Sequence, residues 1–275
     1  MRARVLILVF LLIVVVAAGV LLSSELMRIR EVVVLGCEER NPAEVVNLAA
    51  IENEESVFKL KFKDITAQID ANPYFDVAQI NYVFPDTLRI VVDERKTSAT
   101  IEHLGSILVV DETGFVLETK PNLSGVRKVP EVTGLRITEG YQVCQTLVSA
   151  QPSQIDALSA VLTQLRAQNA IQLISSINLD AVSDIRMTTV SGFEVRLGNF
   201  EGMSSKIEWL RTVEPVLVSE GYTSGVITVS TGDHASFMET GAEALPLPVP
   251  GYPQADEEEL PVEQPAQTDE PEAEE

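Results

Sequence analysis

At 275 residues the chain has room for one to three domains, and 45% apolar residues supply a core of ordinary globular proportions. The formal net charge of −21 is unevenly spread: residues 241–275 hold eleven Asp or Glu and no Lys or Arg, which leaves −10 on the rest. A body that acidic, with no basic stripe, repels phosphate backbones and excludes nucleic acid as a partner.

Residues 5–22, opening on Val5 and closing on Leu22, carry no charge and are almost all Leu, Val, Ile, Phe or Ala. Eighteen helical residues reach about 27 Å, enough to cross the hydrocarbon core. Arg2 and Arg4 precede the stretch, which predicts residues 1–4 in the cytoplasm, although Arg28 and Arg30 beyond it weaken the charge bias. A cleaved signal peptide, with Ala17-Ala18-Gly19 as small residues, is the competing reading; Val20-Leu21-Leu22 extends the run past a typical signal and favours an uncleaved anchor. Either way, everything after Ser23 is expected outside the cytoplasm.

Ile29, Val32, Val33, Val34 and Leu35 then form a β-branched strand ending at Gly36. Asn41-Pro42 reads as an N-cap with proline at the first helical position, opening a short helix over 42–50. After a polar link at 52–56 and the apolar-basic Val57-Phe58-Lys59-Leu60, Asp64 is expected to cap a helix over 65–71 that Asn72-Pro73 ends. Val77, Ile80, Tyr82 and Phe84 keep the two-residue period of a strand, Pro85-Asp86 makes a turn, and Leu88, Ile90 and Val92 return antiparallel. The order β-α-α-β-β over 28–96 is a small α+β domain.

That order, with REVVVLG at 30–36, NPYFDVA at 72–78 and FPDTLRIVVDERK at 84–96, resembles a POTRA module, and more narrowly that of the FtsQ/DivIB family of bacterial division proteins. Thr97 stands where that family usually has proline. A single POTRA domain directly after one span is the family's arrangement.

The rest of the chain extends the resemblance. Strands are predicted at 98–102 and 107–110, with Asp111-Glu112-Thr113-Gly114 as a turn and Phe115-Val116-Leu117 as the return strand. Val129-Pro130-Glu131-Val132-Thr133-Gly134 is similar to a family segment. An amphipathic helix opens at Pro152-Ser153 with Ile155, Leu158, Val161, Leu162 and Leu165 inward. Strands follow at 174–179, 185–189 and 193–197. A second helix covers 203–219, with Ile207, Leu210, Val213 and Leu217 inward; Pro215 is expected to kink or end it near Arg211. The side of Trp209 is open. The last predicted strand is 226–230, with Thr228 where the family commonly has Asp. The expected architecture is therefore a single transmembrane helix, a POTRA domain, a mixed-sheet β domain with two amphipathic helices over 97–240, and an acidic tail. With seven prolines and eleven acids, 241–275 is expected to be disordered, its charge serving solvation and repulsion from an anionic wall.

No catalytic inventory emerges. The Ser-Gly pairs at 124–125, 191–192 and 224–225 lie in no GxSxG elbow, and no glycine-rich phosphate cradle occurs. His103 and His234 are too few and isolated for a metal site and have no nucleophile beside them in sequence; a triad assembled in space is the residual enzyme reading. Asp93-Glu94 and Asp111-Glu112 read as strand-end and turn residues in solvent. Cys37 and Cys144 read as two unpaired small hydrophobes, with a disulfide between them as the alternative. No cofactor, metal or small-molecule substrate is expected.

What remains is binding through an unpaired strand edge. The resemblance implies a non-enzymatic scaffold at the division septum, docking small coiled-coil membrane proteins of the FtsB/DivIC and FtsL type through the last strand. Carried onto this chain, it implies Gly225, Val226, Ile227, Thr228, Val229 and Ser230, with Tyr222 and Thr223 beside them. For Val226, Ile227 and Val229 core packing is the plain alternative. A translocation or chaperone module of the envelope is the alternative function.

Overall fold

The computed structural model describes residues 2–52, 54–126, 128–138, 140–229, 235–239 and 245–246. Helix α1 (Arg2–Leu26) runs unbroken for 25 residues, and its apolar side chains from Leu6 to Val16, with Val20, are exposed. The side chains of Val5 and Leu22, the ends of the expected span, lie outside the description. Among the described residues no helix is long and apolar enough to cross a membrane.

Next come β1 (Glu31–Leu35), α2 (Pro42–Ala49), a 3₁₀ turn (Val57–Lys59), α3 (Phe62–Asp70), β2 (Phe75–Val83) and β3 (Thr87–Glu94). The Asn41 side chain accepts the Ala43 N–H at 2.9 Å, and Pro42 occupies the first turn, as the sequence predicts. Helix α3, by contrast, begins at Phe62 with Lys61 at its N-cap; Asp64 lies inside the first turn, where its charge favours the helix dipole without capping it. The three strands form a sheet in the order β1-β3-β2, β1 parallel and β2 antiparallel to β3. Val45, Ala49, Ile65 and Ile69 from the helices bury against Leu88, Ile90, Val92 and Phe75 on one face. Gly36 is obligatory at the exit of β1, because a Cβ there would stand 1.8 Å from the Val92 carbonyl oxygen.

The second domain is a ten-stranded mixed sheet built from β4 (Ala99–His103), β5 (Ser106–Val110), β6 (Val116–Lys120), β7 (Glu131–Thr133), β8 (Ile174–Asn178), β9 (Ile185–Thr189), β10 (Phe193–Gly198), β11 (Gly225–Thr228), β12 (Ser236–Met238) and β13 (Leu245–Pro246). Their order across the sheet is β13-β12-β11-β10-β9-β8-β7-β4-β5-β6. Helices α4 (Ser153–Ala167) and α5 (Met203–Ser219) contribute Leu158, Val161, Leu162, Leu165, Ile207, Leu210, Val213 and Leu217 to its core. Trp209 belongs to that core, 3% exposed. Pro215 does not end α5, which continues to Ser219. Proline removes one donor, for the Arg211 carbonyl, while buried residues on both sides of it hold the two halves to the sheet.

Candidate docking end of the ten-stranded sheet

The strand expected to be a bare edge is not one. Gly225–Thr228 pairs in parallel with β10 on one side and antiparallel with β12 on the other, so its backbone is taken up by its own chain on both flanks. The correction comes from residues 235–238, Ala-Ser-Phe-Met, which the two-residue pattern did not mark because three paired residues hardly display a period. Their anchor is Phe237, 1% exposed. Its ring stands edge-on to Phe193 at 6.1 Å and to Tyr222 at 4.9 Å, arrangements that aromatic quadrupoles favour.

Gly225 lets this closure happen. Its backbone has φ +156°, and a Cβ there would come 2.4 Å from Phe237 Cε2 and 2.9 Å from the Met238 carbonyl oxygen. Ile227 and Val229 are fully buried in the core, Val226 and Thr228 are half-buried, Tyr222 is half-buried and Thr223 is exposed. Ser230 lies outside the described residues. The described sheet ends beyond β12 in Leu245–Pro246, which pairs with Phe237 and Ser236 over two residues. Among the described residues, β12 is met on its outer side by this two-residue strand alone.

At the opposite end of the sheet the two domains are joined by charge. Arg95, just after β3 at the end of the first domain, donates from Nη2 to Asp76 at 2.7 Å and from Nη1 to Asp111 at 3.0 Å, and its guanidinium lies 4.2 Å over the Phe115 ring. Asp111 is therefore not in solvent; it is 2% exposed and also accepts the N–H groups of Thr113 and Phe115. Glu112 pairs with Arg166 at 3.4 Å, and Glu94 accepts the N–H groups of Glu38 and Glu39. Asp93 alone of the four keeps the exposed place expected of it. Lys96 pairs with Glu38, and Tyr74 donates to Glu118. Burial, reinforced by that carboxylate, pushes the Tyr74 phenol up to about 12. Glu118 is held below the usual carboxylate range, chiefly by its bond to Lys120 and then by Tyr74.

His103 is half-buried, its ring edge-on to Tyr141 at 5.6 Å; His234 lies outside the described residues. Cys37 and Cys144 are free thiols, the Cys144 Sγ 3.8 Å from the Ala71 carbonyl. Among the described residues no group of three or more His, Cys, Asp or Glu could hold a metal.

Comparison with known proteins matches residues 27–95 to the family model "POTRA domain, FtsQ-type" and residues 99–229 to "Cell division protein FtsQ/DivIB, C-terminal". A "Cell division protein FtsQ" from Anaeromyxobacter sp. is 26% identical over 208 residues, covering 74% of this chain and 68% of its own length. Another from Myxococcus fulvus is 28% identical over 207 residues, covering 75% and 70%. The solved extracytoplasmic domain of DivIB from Geobacillus stearothermophilus is 14% identical with a TM-score of 0.30, covering 47% of this chain and 99% of that one. Strand β12 lies beyond the last matched residue.

Proposed function

Because the chain belongs to the FtsQ/DivIB family of cell-division proteins, we propose that it is a non-enzymatic, single-pass scaffold of the division septum. Helix α1 serves as the anchor, with residues 1–4 in the cytoplasm and the POTRA and β domains outside the bacterial cell membrane. In support, α1 is a continuous helix whose described apolar side chains are exposed along its length, a surface that water does not favour and a hydrocarbon core does.

The partners are small coiled-coil membrane proteins of the FtsB/DivIC and FtsL type, and the place of docking is the β11–β12 end of the large sheet. The observation that carries this is the sheet margin itself: among the described residues, β12 is covered over two residues only. A partner strand that pairs along all of β12 supplies more backbone hydrogen bonds than Leu245–Pro246 does, and so displaces it. Tyr222 and residues 225–228 then act from behind, by holding β12 in place; with Thr223, Val229 and Ser230 they make up the docking region. Depleting the protein from growing cells tests the reading. Filaments without septa are expected, and normal septation under full depletion would overturn it.

A further inference from the structure

The stretch at 57–63, Val-Phe-Lys-Leu-Lys-Phe-Lys, holds three lysines, two phenylalanines and no acid, in a chain of net charge −21. The fold puts it at the end of the POTRA domain where α1 leaves. Helix α1 ends at Leu26, and the next carbonyl, that of Met27, accepts the Val57 N–H at 3.0 Å. Arg28 bridges Ser56, and Ile29 exchanges backbone hydrogen bonds with Glu54 and Glu55 at 3.0 and 2.9 Å.

The strand directions bring a second loop to the same end. β1 and β3 start there and β2 finishes there, so the turn at 84–86 lies alongside, its Asp86 carbonyl accepting the Arg30 N–H at 2.9 Å. Phe58 and Phe84 are 69% and 67% exposed, Phe62 is 37% exposed, and Lys59, Lys61 and Lys63 are all exposed. Lys61 reaches Asp64 at 3.8 Å; Lys59 and Lys63 have no ion pair among the described residues. The acids of this end are Glu52, Glu54 and Glu55 in the preceding loop, with Glu54 held by Arg28 at 3.7 Å, Glu31 at the start of β1, Asp86 in the turn and Asp64, which takes Lys61.

We propose that this end of the POTRA domain docks on the anionic headgroups of the leaflet from which α1 emerges. Phe58, Phe62 and Phe84 enter the headgroup boundary and Lys59, Lys61 and Lys63 reach the lipid phosphates. The inference rests on α1 being the anchor. If it is, Leu26 stands near the interface, and a segment hydrogen-bonded to the next residue stands within a few ångströms of the headgroups. Aromatic rings with cationic side chains beside them suit that layer: the rings leave water while the lysine stems carry their ammonium groups to phosphate. The contact fixes the tilt of the POTRA domain on the membrane, and with it the direction in which the β domain projects.

The test uses the full chain in bilayer discs of phosphatidylcholine, with or without phosphatidylglycerol, and reads amide hydrogen exchange at 57–63 and 83–88. Exchange slower by on the order of tenfold in the anionic discs is expected, because each lysine adds attraction to an anionic surface. The slowing should vanish in Lys59→Glu/Lys61→Glu/Lys63→Glu and weaken in Phe58→Ser/Phe84→Ser. A chain that stays with vesicles through alkaline carbonate but exchanges equally in both lipids overturns this docking and leaves the anchor standing. Release by carbonate overturns the anchor, and the docking falls with it. Protection that appears only when a second protein is added overturns the lipid assignment in favour of that protein.

Discussion

Arg95 holds one carboxylate from each domain and covers an aromatic ring as well. Planar, permanently charged and able to donate in two directions, guanidinium does here what lysine could not. Removing it leaves Asp111 buried with its N–H donors but without a cation, so Arg95→Ala is expected to cost about 3 kcal/mol in chemical denaturation, much of it recovered by adding Asp111→Asn. Tyr74 gives a prediction in pH. Its folded value of about 12 lies above the ordinary 10, so the protonated phenol is the form the fold favours. Its contribution is complete below pH 10 and is lost as pH rises toward 12. The denaturation midpoint should therefore fall more steeply over that window in the wild type than in Tyr74→Phe, whereas parallel curves would show that neither burial nor Glu118 raises the phenol. None of this joint was legible beforehand. The turn at Asp111 was, because Asp-x-x-Gly bends the backbone locally. Its burial was not, because that depends on an arginine sixteen positions earlier meeting it in space.

Elements were easier to read than their neighbours. Alternation located β2, β3, β8, β9 and β10, and an apolar stripe located α4 and α5, because burying one face imposes a period that the chain itself displays. Strand order is another matter: β7 lies between β8 and β4 by pairings that no local pattern encodes. Strand β12 escaped for want of length, and with it the true margin of the sheet. Two consequences can be measured. Gly225→Ala drives a methyl into the Phe237 ring and should destabilise by about 1–3 kcal/mol, read as a lower denaturation midpoint. Ending the chain after Thr240 removes Leu245–Pro246, and on the strand-exchange reading a partner should then bind at least as tightly as before. Weaker binding would mean that β13 contributes to the docking surface.

Across the whole molecule, direction matters most. The POTRA domain receives the chain from α1 at one end and passes it through Arg95 and Lys96 to β4 at the other. From β4 to β12 there are six strand spacings, roughly 29 Å at about 4.8 Å each, so the proposed docking margin stands well across the β domain from the joint. The proposed membrane contact, the domain joint and the proposed docking margin are thus three separate places, and a change at one need not disturb the others. The most direct measurement is the affinity of the full chain for the proposed FtsB/DivIC-like partner, wild type against Glu239→Pro. Val229 donates to the Arg196 carbonyl, so Val226 and Thr228 turn their backbone groups toward Met238 and Ser236. The donors left for a partner strand are those of Phe237 and Glu239, and proline at the exposed Glu239 takes one of them away outside the buried core. Capture weakened at least tenfold, with the POTRA domain still unfolding at the wild-type midpoint, is the predicted result; capture unchanged in that variant would contradict the account.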